Sequence, residues 1–250
     1  MGAWGGPARR MRFARLAVIA AALTAGISCA HIPGDRDPSD PWERMNRGTF
    51  RFNEGLDRWV VEPVAKGMDF VLPDPVERSI RRFFENSMIP IRFGNALLQF
   101  KPVSAVEELA RFAVNTTIGI AGFFDPATHF GLEAHGEDFG QTLGYWGVPP
   151  GPYLVLPVFG PSNPRDTVGL TADTFSTVYP WFMPIYASFS IGVGQRLNWR
   201  SLNLDAIAAE REAALDYYVA VRNAYMSYRE DQIRDREEDE ADGDDLYYLD

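Results

Sequence analysis

Asp138-Phe-Gly-Gln-Thr-Leu-Gly-Tyr-Trp-Gly-Val-Pro-Pro-Gly-Pro-Tyr-Leu-Val-Leu-Pro-Val-Phe-Gly-Pro-Ser-Asn-Pro-Arg-Asp166 carries no charge between Phe139 and Pro164. Six prolines remove backbone donors and fix φ, which argues against a helix or a central strand. Gly140, Gly144, Gly147, Gly151 and Gly160 permit turns that other residues resist. A long apolar segment without regular structure is unusual, because buried backbone groups need partners. Two readings stand: a loop folded over a soluble core, or backbone held at membrane depth and covered by protein or a water-filled cavity.

The ends of the chain narrow the choice. Arg9, Arg10, Arg12 and Arg15 precede an apolar run, Leu16 to Gly26, that is too short to span a bilayer. Residues 1–28 therefore read as a signal peptide. Cys29 is the only cysteine, so the chain forms no internal disulfide. Its position after a short apolar region resembles a lipoprotein cleavage site, although Gly26 stands where a large aliphatic residue is usual. Cys29 is the expected lipid attachment point, with residues 29–41 as a polar tether. Of the net charge of −10, residues 229–250 hold −8, from eleven Asp/Glu against three Arg. The acidity is thus a property of the tail, which is expected to be disordered. A chain without a basic face is a poor ligand for nucleic acid.

Between the ends the pattern is amphipathic. Apolar residues at three- and four-residue steps predict a helix over 42–61, ending or kinking at Pro63. Further helices are expected over 64–71, over 75–85 with Asp74 as N-cap, and over 102–124, with Glu107 and Glu108 in the first turn. A single long helix is expected over 205–228. The uncharged run 174–195 is interrupted by Pro180 and Pro184, and two short helices fit it better than one span. With 112–124 and 139–164 it makes three uncharged segments, none of them a clean transmembrane helix. Trp42, Trp59, Trp146, Trp181, Tyr145, Tyr153 and Tyr179 suit bilayer interfaces.

Chemistry is sparse. No nucleophile is paired with a base, and no glycine loop precedes a lysine to cradle phosphate. His129, Glu133, His135, Glu137 and Asp138 cluster, but the two histidines are six residues apart and match no helical zinc motif. Turn residues are expected there, with no metal or cofactor, and an enzyme is not expected.

Several separated motifs occur in a recognisable order. They are Asp40-Pro41-Trp42-Glu43-Arg44-Met45-Asn46-Arg47 with Phe50, Phe52 and Asn53, then Pro63-Val64-Ala65, and then Arg111-Phe112-Ala113-Val114-Asn115-Thr116 with Gly119. Glu137 to Gly144, Gly151 to Pro157, Arg165-Asp166 and the helix Tyr217 to Tyr228 follow. Across residues 38–229 the chain resembles the MlaA (VacJ) family of outer-membrane lipoproteins. The resemblance implies an all-α fold, a ring- or disc-shaped assembly of amphipathic helices embedded in the outer membrane over residues 42–228. An irregular Pro/Gly-rich hairpin would line its central channel.

It also implies a function. Such a protein, anchored in the outer membrane of a Gram-negative bacterium and facing the periplasm, removes mislocalised phospholipids from the outer leaflet. It passes them to a periplasmic carrier of the MlaC type, maintains lipid asymmetry, and associates with a trimeric porin. On that reading Asp138, Arg165 and Asp166 line a polar mouth, and Tyr145, Tyr153, Leu154, Leu156 and Phe159 face acyl chains. Asn46, Phe50, Phe52 and Asn53 form a control segment. The competing expectation is a tethered periplasmic lipid-binding or scaffold lipoprotein that is not embedded.

Overall fold

The computed structural model describes residues 37–177 and 183–234. The signal segment 1–28, Cys29, most of the tether and the acidic tail beyond Arg234 lie outside the described residues. The chain divides into units 1–38 and 39–250, and the architecture below is that of the second.

Helix α1 (Glu43–Leu56) runs without a break through a π-turn (Asp57–Val61) into α2 (Glu62–Val71). Pro63 was expected to end or kink this segment. Instead the π-turn inserts its wide spacing just before the proline, with the Glu62 N–H bonded to the Asp57 carbonyl. Pro63 then falls in a first-turn position, where its missing donor costs little.

Helix α3 (Asp74–Leu98) begins one residue before the expected N1 proline and runs to 25 residues, well beyond Glu85. It absorbs both the apolar run after Ile89 and an internal Pro90. Helix α4 (Pro102–Thr117) packs along it. Starting at Pro102, α4 places Glu107 and Glu108 beyond its first turn, contrary to expectation. It also stops well short of Phe124. Ile120, Ala121 and Gly122 all take positive φ, and the Ala121 and Gly122 amides bond back to the carbonyls of Thr116 and Asn115. A Cβ at Gly122 would stand 2.4 Å from the Asn86 Cβ, so only glycine fits against α3 here. Asp125-Pro126 starts a one-turn helix, α5 (Pro126–His129), capped by the Asp125 carboxylate.

The opening stretch has more regular structure than its composition suggests. It contains α6 (Phe139–Tyr145) and a two-stranded antiparallel hairpin of β1 (Leu154–Leu156) and β2 (Gly160–Ser162), in register Leu154 with Ser162 and Leu156 with Gly160. Asp138 caps α6 and Asn163 caps α7 (Pro164–Ser176), each through a side-chain oxygen on a first-turn amide. Helices α6 and α7 pack together at a glycine contact. A Cβ at Gly169 would lie 2.4 Å from the Gly140 amide nitrogen.

Helix α8 (Ile185–Leu202) starts after Pro184 and crosses α2 and α3. The segment expected as one helix over 205–228 is two, α9 (Leu204–Ala213) and α10 (Tyr217–Ile233). Asp216 caps α10 with its side chain, and that cap takes Ala214 and Leu215 out of the helix. Helix α10 continues past Arg229, so the start of the expected tail belongs to the folded unit. Among the described residues no helix is long and apolar enough to cross a membrane.

Burial is distributed unusually. Among the described residues twenty-one polar or charged residues are buried against nine apolar ones. The exposed set contains Phe70, Trp59 and Phe100, each at least 80 % exposed, and many Val, Ile and Leu. Soluble domains bury such residues and leave polar ones outside. Here the relation is largely reversed.

Candidate functional site

The hairpin sits where α1, α7 and α10 meet it, and its alternation sorts its side chains. Tyr153 and Val155 point inward and are buried against Tyr218, with Phe50, Val219 and Tyr225 around them. The rings of Tyr153 and Tyr218 lie 6.1 Å apart, and that of Phe50 is 5.4 Å from Tyr218. Leu154 and Leu156 are only partly buried, and Phe159 at the turn is exposed. Leu156, Pro157 and Phe159 join Thr167, Leu170, Thr171, Thr174 and Phe175 of α7 to line an open groove of about 470 Å³. The structure thus separates residues that the sequence reading grouped on one lipid-facing wall. Leu156 and Phe159 share a groove, Tyr145 is exposed at the end of α6, and Tyr153 is a core residue.

Among the described residues the outer edge of β1 has no strand beside it, and two asparagines of α1 take that place. Asn46 donates to the Tyr153 carbonyl (2.9 Å) and accepts from the Val155 amide (3.0 Å). Asn53, two turns on, donates to the Leu156 carbonyl (2.9 Å) and accepts from the Val158 amide (2.8 Å). A carboxamide offers the same donor and acceptor as a peptide group, so each side chain substitutes for one unit of a missing strand. Asn53 also holds the turn at Val158, whose φ of 71° is strained for a β-branched residue. Of the expected control segment, Asn46, Phe50 and Asn53 touch the hairpin or its core, whereas Phe52 points outward and is exposed.

Asn46 continues into a second polar group. It donates to Asp40 (2.8 Å), whose other oxygen accepts from the Tyr218 hydroxyl and lies 3.6 Å from Arg222. Arg47 pairs with Asp216 at 2.8 Å and stacks 4.4 Å from the Tyr218 ring centre. The beginning and end of the folded unit are tied at this point.

The charges that bracket the uncharged stretch also converge. Arg229 of α10 donates through Nε to Asp166 (2.9 Å) and through both Nη atoms to Asp138. Asp166 further accepts from Tyr225 (2.6 Å), Asn163 (2.6 Å) and Arg165 (2.9 Å). Burial alone would raise the Asp166 carboxyl, but the Arg229 guanidinium, Tyr225 and Arg165 outweigh it and hold it below the ordinary carboxylate range. Arg229 thus brings Asp138 and Asp166 together, with Arg165 on Asp166, while Asp138 also accepts from the Gln141 amide and Asp166 from Asn163 and Tyr225. Arg229 and Tyr225 are the partners that sequence reasoning missed. Their signal is the spacing of Tyr218, Tyr225 and Arg229 on one face of a helix, at steps of seven and four.

A third polar cluster lies at the π-turn. Arg200 and Arg211 both bond Asp57, at 3.0 and 2.7 Å, and Arg211 also reaches Glu54. A groove of about 440 Å³ beside it is lined by Phe50, Arg51, Glu54, Gly55, Arg58, Trp59, Arg211 and Tyr217. Aromatic walls with guanidinium groups at the rim form a surface that is both apolar and cationic.

None of these clusters sets a nucleophile against a base. What they share is a hydrogen-bonded polar interior beneath an apolar exterior, an arrangement suited to accommodating an amphiphile.

Comparison with known proteins agrees with this geometry. Residues 38–232 match the family model described as MlaA lipoprotein. The chain is 33 % identical over 221 residues to the intermembrane phospholipid transport system lipoprotein MlaA of Escherichia coli K12, covering 85 % of this chain and 86 % of that one. It is 32 % identical over 204 residues to the protein of the same name from Haemophilus influenzae, covering 79 % and 80 %. It is also 32 % identical over 197 residues to an uncharacterised protein of Rickettsia typhi, covering 78 % of each chain. A solved structure reported as the structural basis for maintenance of bacterial outer membrane lipid asymmetry superposes with a TM-score of 0.70 at 32 % identity, covering 78 % of this chain and 99 % of that one.

Proposed function

This chain belongs to the MlaA lipoprotein family, and from that premise we propose that it removes phospholipid from the outer leaflet of the outer membrane and delivers it towards the periplasm. The observation that carries the reading is the reversed burial, with buried polar side chains under exposed Phe, Trp, Val and Ile. Such a surface is costly in water and favourable among acyl chains, at roughly 25 cal/mol for each Å² of apolar surface removed from water. The helices lie in the membrane, and none among the described residues is long and apolar enough to cross it. A phospholipid headgroup then follows the polar interior while its tails follow the apolar surfaces, among them the groove at Leu156 and Phe159.

Cys29 supplies the lipid anchor, a porin holds the unit in place, and a soluble carrier receives the lipid on the periplasmic side. No step requires bond cleavage, so the protein acts as a conduit and not as an enzyme.

The test uses cells lacking the chain. Outer-leaflet phosphatidylethanolamine is labelled with a membrane-impermeant amine reagent. Loss of the chain should raise labelling, and the full chain should restore it. Unchanged labelling in the deletion, with outer-membrane integrity intact, sinks the transport reading.

A further inference from the structure

We propose that Glu107, Glu133 and His135 form a binding site for a divalent transition-metal ion, with Zn²⁺ as the ion best matched to the ligands. The three side chains come from two places in the sequence, α4 and the loop that leads from α5 to α6. One ligand atom from each lies within 4.8 Å of the other two. The His135 Nε2 is 2.6 Å from a Glu107 carboxylate oxygen. A tetrahedral ion with bonds of about 2.1 Å sets its ligand atoms roughly 3.4 Å apart, a spacing within the 4.8 Å limit that all three atoms meet. Small side-chain rotations would close the shell, leaving the remaining positions to water.

Electrostatics favours an occupant. Glu133 has no hydrogen-bond or ion-pair partner among the described residues. Glu107 is paired with His135, and Glu133 beside them brings a second carboxylate to the same point, so the cluster offers a cation more negative charge than the imidazole alone can balance. Cationic side chains nearby are otherwise committed or turned to another group. Arg111 is engaged by Asp125, Thr128 and the Leu132 carbonyl. Lys101 pairs with Glu137. Arg92 acts on Glu108.

An independent observation comes from Glu108, next to Glu107. It is 0 % exposed, and one of its oxygens accepts the His135 backbone N–H. The other oxygen is buried without a hydrogen-bond partner. A buried carboxylate that fixes the backbone of a ligand-bearing residue is the kind of support that tunes metal sites. Mixed imidazole and carboxylate donors suit Zn²⁺ or Mn²⁺ better than Ca²⁺, which takes oxygen ligands alone.

Such an ion would join the loop at residues 133–135 to α4. That loop leads directly into Glu137, held by Lys101 and Gln99, and Asp138, held by Arg229. The site is therefore joined through two residues of chain to these polar contacts and shares no residue with the groove assigned to acyl chains.

Purified full-length protein in detergent, stripped with chelator, should be titrated with Zn²⁺ by calorimetry and followed by thermal unfolding. We expect one saturable equivalent and a raised unfolding temperature. Glu133→Gln, at an exposed side chain and so without effect on folding, and His135→Ala should each weaken binding by at least about tenfold and abolish the temperature shift. Glu108→Gln should weaken it roughly tenfold while leaving the stoichiometry unchanged. Absence of saturable binding overturns the proposal. So does binding that survives both Glu133→Gln and His135→Ala, because the ion would then sit elsewhere, the acidic tail being one such place. Neither outcome bears on lipid transport, which the amine-labelling experiment measures separately.

Discussion

At Arg229 one guanidinium holds carboxylates from two elements, Asp138 at the cap of α6 and Asp166 in the first turn of α7. The Arg229 and Asp166 side chains are largely buried, and charges so placed are costly to isolate, so removing one partner harms more than replacing the whole set. Arg229→Met should therefore lower unfolding free energy by about 3–5 kcal/mol, read by denaturant titration in detergent. The same residues set a pH dependence. Asp166 has a folded value below its unfolded one, near 3.9. Its contribution is thus complete above that unfolded value and is lost as pH falls through the lower folded value. The acid side of the stability curve should be shallower in Arg229→Met than in the wild type, and an identical slope would refute the linkage. Asp138 and Asp166 were legible as candidates, because isolated charges flank a long uncharged run. Their partner was not, because Arg229 sits where the acidic tail begins and the composition there masks it.

Among the elements, α6 and α7 show how closely backbone approach is specified. At Gly169 a methyl group would meet the Gly140 nitrogen and Cα at 2.4 and 2.6 Å, and backbone cannot yield as a side chain can. Gly48 in α1 has nothing within 4 Å. Gly169→Ala should destabilise by about 1–3 kcal/mol through forced separation of the helices. Gly48→Ala should stabilise by about 0.5–1 kcal/mol, since only the entropy of glycine in a helix is relieved. Comparable effects of the two substitutions in one unfolding assay would contradict the packing described. Helix positions were well marked by apolar spacing in α1, α3 and α4, whereas their ends were not. Pro63 was overridden by a π-turn, and α3 runs on past Glu85 with Pro90 inside it. Asp216 looked like one more helical residue, but its side chain caps α10 instead. The hairpin was legible through the family resemblance and not through local pattern, because its outer edge is completed by Asn46 and Asn53, more than a hundred residues away.

For the whole molecule, the reversed burial was visible in the sequence only as an excess of aromatic and uncharged segments. Which side each faced depended on tertiary contacts. If the exterior is a membrane surface, Phe70→Asp and Phe100→Asp should leave unfolding in detergent within about 0.5 kcal/mol of wild type. Each should lower partitioning into phospholipid vesicles by about tenfold or more, since burying a Phe side chain contributes roughly 1.5–3 kcal/mol. Equal partitioning of variant and parent would place these residues away from lipid. The tie between Asp40, Asn46 and Arg47 at one end and Asp216, Tyr218 and Arg222 at the other has a consequence in time. A chain made from its N-terminus presents the first group long before the second exists. Until the segment beyond residue 216 arrives, Asp40 and Arg47 lack these partners, and the inward face of the hairpin lacks Tyr218 and Tyr225. The fold therefore closes last at its beginning, and the unfinished chain must be kept from aggregating for the whole interval of its synthesis.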